Sequence, residues 1–206
     1  GPKGSKVVLQ HAEVLDRDGN FYTENLRTAR QTIEYTLKGT GREVFEPNFT
    51  FQGFRYVKLV EYPGQPSIED FVGVVVHSDM ELTGSFECSN PLINRLQENI
   101  QWSQRGNFLD VPTDCPQRDE RLGWTGDAQV FIRTACFNMN VASFFTKWLR
   151  DLRAEQRDNG GVPHVIPDVL RDGVHSSSAW GDAAVICPWT IYLCYGDRRL
   201  LEEQYE

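Results

Sequence analysis

Apolar and polar positions change their period along this chain, and the change predicts two parts. Up to about residue 85 the pattern is that of strands and turns. The stretch from Val7-Val8-Leu9 through Val14-Leu15 reads as a strand-like run, stopped by Asp18-Gly19, a hairpin signal. Thr32 to Leu37 alternates with period two and ends at Lys38-Gly39. Phe49-Thr50-Phe51 and Phe54 to Val60 repeat the alternation around Gly53, and Pro63-Gly64-Gln65-Pro66 reads as a loop. Val72 to Val76 is a short apolar run that predicts a buried strand. Only Thr23 to Arg30 fits neither period. Five or more strands separated by turns point to an antiparallel sandwich.

Beyond Ser85 the spacing becomes helical. Ser89-Asn90-Pro91 puts cap residues directly before a proline suited to a first helical turn. Leu92, Ile93, Leu96 and Ile100 then form an apolar stripe, with Gly106 as the expected stop. Ala128 to Phe137 and Phe144 to Arg157 predict two more helices, the second closed by Asn159-Gly160-Gly161. Trp180 to Tyr195 predicts a fourth that Pro188 kinks or splits, and Leu200 to Tyr205 starts a fifth. Phe144, Phe145, Trp148, Leu149 and Leu152 are expected in the core, as are Trp189, Tyr192, Leu193 and Tyr195. The fold class is therefore α+β and multidomain, divided at 1–84 and 85–206.

Composition narrows the function classes. The 206 residues carry 29 acidic and 21 basic side chains, a net charge of −8, with no basic cluster for a nucleic-acid backbone. No apolar run reaches the roughly 18–20 residues that a membrane span needs, so no membrane partner is expected. The five cysteines (Cys88, Cys115, Cys136, Cys187, Cys194) are odd in number and follow no ligand or disulfide spacing. With Gly-Pro-Lys-Gly-Ser-Lys leading into no signal-like segment, they favour a reducing, cytoplasmic setting, with secretion left open for a fragment. His11, His77, His164 and His175 are scattered without metal-ligand spacing, so neither metal nor cofactor is expected. Gly39-Thr40-Gly41 reads as a turn and not a phosphate loop, and Asn48-Phe49-Thr50 is a glycosylation sequon expected to be silent.

The chemistry concentrates between the first two helices, from Asp110 to Asp127. Those 18 residues hold five carboxylates, Arg118, Arg121, Trp124 and the two prolines Pro112 and Pro116. Prolines lower the entropy lost on ordering, which suits a preorganised site. The surplus of acids predicts crowding that raises at least one carboxyl group, as a general acid near neutral pH requires. The plainer alternative is that Arg118 and Arg121 pair with Asp114, Asp119 and Glu120 and merely brace a surface loop. Carboxylates beside an indole favour a carbohydrate, whose hydroxyls and apolar C–H faces they match. Cys115 among carboxylates is expected to be structural and not a nucleophile. His164, in the Gly160-Gly-Val-Pro-His-Val-Ile-Pro167 loop, is either a rim contact or ordinary loop structure.

The block Thr113-Asp-Cys-Pro-Gln-Arg-Asp-Glu-Arg-Leu-Gly-Trp-Thr-Gly-Asp127 resembles the signature of family 78 glycoside hydrolases, the α-L-rhamnosidases. Glu24-Asn-Leu-Arg-Thr-Ala29, Phe51-Gln-Gly-Phe-Arg-Tyr-Val57 and Cys88-Ser-Asn-Pro-Leu-Ile93 resemble that family's β-domain and its linker into the catalytic barrel. The resemblance implies a β-sandwich portion followed by the first helices of an (α/α)6 barrel, and hydrolysis of terminal α-L-rhamnosides with inversion. By matching positions, Glu120 is implied as proton donor. Asp114 and Asp127 are implied to hold rhamnose hydroxyls and tune Glu120, with Arg118 a neighbouring charge and Trp124 a pocket wall. Ser176-Ser-Ser-Ala-Trp-Gly-Asp182 is similar to a substrate-lining stretch, which adds Trp180 and Asp182. Glu120, Asp114, Asp127 and Trp124 are expected within about one sugar diameter in a concave pocket. Family members are far longer, and their water-activating glutamate lies downstream of residue 206, so the chain reads as a fragment with the acid and without the base. The implied partners are rhamnose-containing glycosides, with homo-oligomer formation left open. The competing reading is a non-catalytic carbohydrate-binding module or inactive fragment.

Overall fold

A computed structural model describes residues 1–171 and 176–205; His175 lies outside the described residues. The chain is α+β, with antiparallel sheets and five α-helices among the described residues, and it divides into two compact units. The first comprises Gly1–Val76 together with Pro116–Arg121, and the second comprises His77–Cys115 and Leu122–Glu206.

In the first unit β1 (Lys6–Ala12) is the middle strand of a three-stranded antiparallel sheet, between β4 (Thr32–Thr36) and β5 (Tyr56–Glu61). Val7 lies opposite Tyr35 and His11 opposite Val57, with a register irregularity at Val8/Leu9. The predicted hairpin forms from β2 (Val14–Leu15) and β3 (Phe21–Tyr22). Its turn is held by the Asp16 carboxylate, which accepts from the backbone N–H of Asp18 (2.9 Å) and Asn20 (2.7 Å), while Gly19 takes φ +82°. The segment that fitted neither period contains a 3-10 turn, Glu24–Leu26, which buries Leu26.

Two strand predictions fail. Phe49-Thr50-Phe51 is irregular, with Phe49 fully exposed at φ 56°. Val72 to Val76 forms no strand, and Val72 is 82% exposed. A strand is stable only where a neighbour takes its backbone hydrogen bonds, and no described residue pairs with this run.

The second unit is helical: α1 (Pro91–Asn107), α2 (Thr125–Asn138), α3 (Ala142–Glu155), α4 (Ala183–Tyr195) and α5 (Arg198–Tyr205). Asn90 caps α1 by accepting from the Leu92 N–H at 3.0 Å, and Pro91 occupies the first turn as predicted. The helix runs through Gly106 to Asn107 before the short ribbon β6 (Phe108–Leu109) and β7 (Val111–Pro112). Phe144, Phe145, Trp148, Leu149 and Leu152 bury one face of α3 against Ile132, Ile166, Cys187 and Ile191. Phe108 stacks on Phe144 with centroids 4.6 Å apart. Buried amides tie α1 to α2, Asn138 donating to Gln104 at 3.1 Å and Gln104 to the Ala135 carbonyl at 3.3 Å. Pro188 sits inside α4 without splitting it, and Gly196 ends it in the left-handed conformation, φ 70°.

Trp189 and Leu193 of α4 are exposed, contrary to the expectation that they are core, and Leu92, Ile93 and Leu96 of the α1 stripe are exposed as well. Periodicity shows which face of a helix is apolar, and the packing partner decides whether that face is covered. No described helix is long and apolar enough to cross a membrane.

Candidate functional site

The loop that carries the candidate chemistry leaves the helical unit and returns to it. At its base the Asp114 backbone N–H donates to the Leu122 carbonyl, and the Asp114 carboxylate accepts from the Leu122 N–H, both at 3.2 Å. The six residues Pro116–Arg121 between them belong to the first unit.

There a row of contacts fixes them. The backbone of Pro116 lies against Gly53, where a Cβ would sit 2.7 Å from the Pro116 carbonyl carbon, so only glycine allows that approach. The Gln31 amide donates to the Gln117 carbonyl, and the Thr28 hydroxyl donates to the Asp119 carboxylate at 2.5 Å. Arg121 donates to the Phe51 carbonyl at 3.4 Å. Glu120 is partly buried, its side chain 27% exposed, and its two oxygens are ion-paired: Oε1 with Arg27 at 3.5 Å and Oε2 with Arg118.

Within the first unit the charges paired with Glu120 are guanidinium groups, one of them from outside the loop, while Asp119 turns to Thr28. The Thr28 hydroxyl, followed by its backbone N–H, holds the Asp119 carboxyl below the usual range despite partial desolvation. The bracing alternative is half right: Arg118 does pair with Glu120, but Arg121 serves a backbone carbonyl.

The raised carboxyl is elsewhere in the same unit. Burial pushes Glu13 up, opposed by Arg118 and Arg55. Arg27 and Glu13 are therefore site neighbours that sequence reasoning did not single out. Arg27 stood inside a quoted motif, the only signal that could have found it; Glu13 offered none.

In the helical unit Trp124 precedes α2 and Asp127 lies, exposed, in its first turn, where the helix dipole favours a carboxylate. Trp124 pairs with Val165 through an isolated antiparallel bridge, Ile166 donates to the Gly123 carbonyl at 2.8 Å, and Thr125 donates its N–H to the His164 carbonyl at 2.9 Å. The strap that contains His164 thus sets the start of α2. The indole N–H of Trp124 is buried and has no hydrogen-bond partner among the described residues.

Trp180 joins this group. Its indole lies over Gly126, where a Cβ would come within 2.9 Å of Nε1, and its ring meets His164 edge-on at 6.0 Å. His164 itself contacts the Ser177 hydroxyl at 2.7 Å. Asp182 spends one carboxylate oxygen on the Ala179 N–H, 3.0 Å, in the turn that begins α4. Cys115 is buried, in keeping with a structural role. A cleft of about 540 Å³ on the helical unit, lined in part by Asp79, Glu81, Asp110 and Lys147, contains none of the predicted site residues.

Residues 81–206 match the bacterial alpha-L-rhamnosidase 6 hairpin glycosidase domain, and residues 1–77 match the bacterial alpha-L-rhamnosidase concanavalin-like domain. The chain belongs to the bacterial α-L-rhamnosidase family. It is 52% identical to an alpha-L-rhamnosidase of Streptomyces avermitilis over 98% of its own length and 20% of that protein's. With one from Formosa agariphila the identity is 49%, over 98% of this chain and 22% of the relative. The S. avermitilis enzyme, solved in complex with L-rhamnose, superposes with TM-score 0.93 at 51% identity, covering 99% of this chain and 20% of that one. A rhamnosidase from Dictyoglumus thermophilum gives TM-score 0.93 at 44% identity, over 98% and 23% of the two chains. The chain thus spans about a fifth of the length of these curated relatives.

Proposed function

We propose that this chain is the acid-bearing part of an inverting α-L-rhamnosidase that removes terminal α-L-rhamnose from glycosides. Residues 1–84 are then the end of a β-sandwich domain, and 85–206 the first part of an (α/α)6 catalytic barrel. Glu120 protonates the departing glycosidic oxygen. The observation that carries this reading is its carboxyl group, sheltered and fixed by two ion pairs on a loop whose flanking sequence matches the family.

Inversion needs one carboxyl group to supply a proton and a second to activate water, roughly 6.5–9.5 Å away. Glu120 is the first. Asp114 and Asp127 bind rhamnose hydroxyls and stabilise the positive charge that builds at the anomeric carbon. Trp124 supplies a wall of the sugar pocket, and its unpartnered indole N–H suits a sugar oxygen. Arg118 holds Glu120 from within the loop, and Trp180 and Asp182 line the approach.

Hydrolysis of an α-L-rhamnoside by a full-length rhamnosidase that carries these residues, followed by NMR from the first turnover, tests the reading. The first-formed sugar is expected to be β-L-rhamnose. Initial release of the α-anomer would overturn the inverting mechanism, and no release of rhamnose would overturn the activity.

A further inference from the structure

We propose that Arg27, on the β-rich unit, is a positioning residue for Glu120. It fixes one carboxylate oxygen and so sets the direction in which the proton is offered. This inference rests on the reading of Glu120 as proton donor.

The first observation is the ion pair itself. Arg118 and Glu120 share a short loop, and Arg118 pairs with only one of the two carboxylate oxygens. Arg27 comes from the end of the Glu24–Leu26 turn and takes the other oxygen, Oε1, at 3.5 Å. One cation on each oxygen defines the plane of the carboxyl group, which a single pair cannot do.

The second observation is the backbone beneath it. Arg27 has φ 55° and ψ −120°, outside the regions that a side chain with a Cβ prefers, and Gln31 has φ 46°. Such residues are strained and persist only where their surroundings over-determine them. Here both strained residues reach the same loop: Arg27 to Glu120 and Gln31 to the Gln117 carbonyl, with Thr28 between them holding Asp119. Two of these three side-chain contacts from the 27–31 segment to residues 117–120 thus come from strained residues, and the third from Thr28 between them. A segment that needed only to cross the surface would relax to ordinary φ and lose those contacts.

The third observation is access. The Arg27 side chain is 52% exposed, so it is no buried strut whose loss would unfold the unit. Removing it should therefore change the direction of Glu120 more than the stability of the sheet.

The consequence follows from acid catalysis. A misdirected general acid slows departure of a leaving group that needs a proton and leaves an activated one nearly unaffected. The test uses Arg27→Met, Arg27→Lys and Glu120→Gln in a full-length rhamnosidase carrying this segment, with an alkyl rhamnoside and a dinitrophenyl rhamnoside as substrates. For Arg27→Met, kcat on the alkyl substrate is expected to fall about 10–100-fold, as small misplacements of catalytic groups do. The dinitrophenyl substrate should change less than about threefold, with KM little altered on either. Arg27→Lys should recover most of the alkyl rate. Equal losses on both substrates, or none on either, overturn the inference. Should Arg27→Met not fold, Arg27→Lys decides alone: a loss of a few fold confined to the alkyl substrate supports the role, and an unselective change refutes it. Glu120→Gln separates the two claims. If it lacks the leaving-group selectivity, the proton-donor reading fails; if it shows it and the Arg27 variants do not, only the positioning role fails.

Discussion

Replacing Gly123 with alanine tests why the segment between Glu120 and Trp124 contains a glycine. An added Cβ would lie 2.2 Å from the Ile166 carbonyl oxygen and 3.2 Å from Trp148 Nε1. Because the first obstacle is backbone, no rotamer change relieves it, and the two chains must part by roughly 1 Å to reach ordinary contact. That movement strains the Ile166 N–H bond to the Gly123 carbonyl, 2.8 Å, and the Trp148 indole bond to the Ile166 carbonyl, 3.3 Å. Overpacking costs about 1–3 kcal/mol, and each weakened hydrogen bond about 0.5–1.5 kcal/mol. The expected loss is therefore about 3 kcal/mol. Gly106→Ala is the control: Gly106 lies inside α1 with nothing within 4 Å of the new Cβ. There alanine should stabilise by about 0.5–1 kcal/mol. Urea unfolding monitored by tryptophan fluorescence measures both. If Gly123→Ala is as stable as the parent while Gly106→Ala behaves as expected, the close approach of residue 123 to Ile166 is refuted.

Two further predictions concern other titrating groups. The Glu43 carboxyl is held down to about 2 by the N–H of Lys38 above all, aided by Tyr35 and the N–H groups of Gly39 and Thr40 and opposed by desolvation. Its stabilisation is thus present above the ordinary value of 4.5 and lost as pH falls from there towards about 2. Glu43→Gln should lower the urea midpoint at pH 7 and flatten its decline below pH 4.5; an unchanged acid limb would contradict this. Burial, then neighbouring Cys194, pushes the Cys136 thiol up to about 12, and burial raises Cys187 as well. Brief alkylation of the native protein, read by peptide mass, should therefore label exposed Cys194 and spare Cys136 and Cys187 until denaturant is added. Labelling of Cys187 at the rate of Cys194 would contradict the packing of α4.

How far the sequence carried depends on whether a signal is local. The α1 cap, the buried face of α3 and the Asp18-Gly19 hairpin each state their structure within a few residues, and each formed. Val72 to Val76 did not, because a short apolar run names no partner strand. Trp189 and Leu193 show the same limit for helices: the apolar face was recognised, but not its exposure. Within the site, the loop from Thr113 to Asp127 stood out by composition and resemblance. Counting the loop's own charges left out Arg27, which reaches Glu120 from a distant part of the chain, as its neighbour Thr28 reaches Asp119 across 91 positions. Glu13 gave no signal, since a lone acid at a strand end is common and only burial distinguishes it.

The most direct test of Glu120 as proton donor is the dependence of kcat/KM on leaving-group pKa, in parent and Glu120→Gln, across a series of aryl and alkyl rhamnosides. The parent should give a shallow line, because protonation in the transition state neutralises the departing oxygen. The variant should give a steep negative slope, losing about 10²–10⁴-fold on the poorest leaving groups and little on the best. Two parallel lines would show that Glu120 does not deliver the proton.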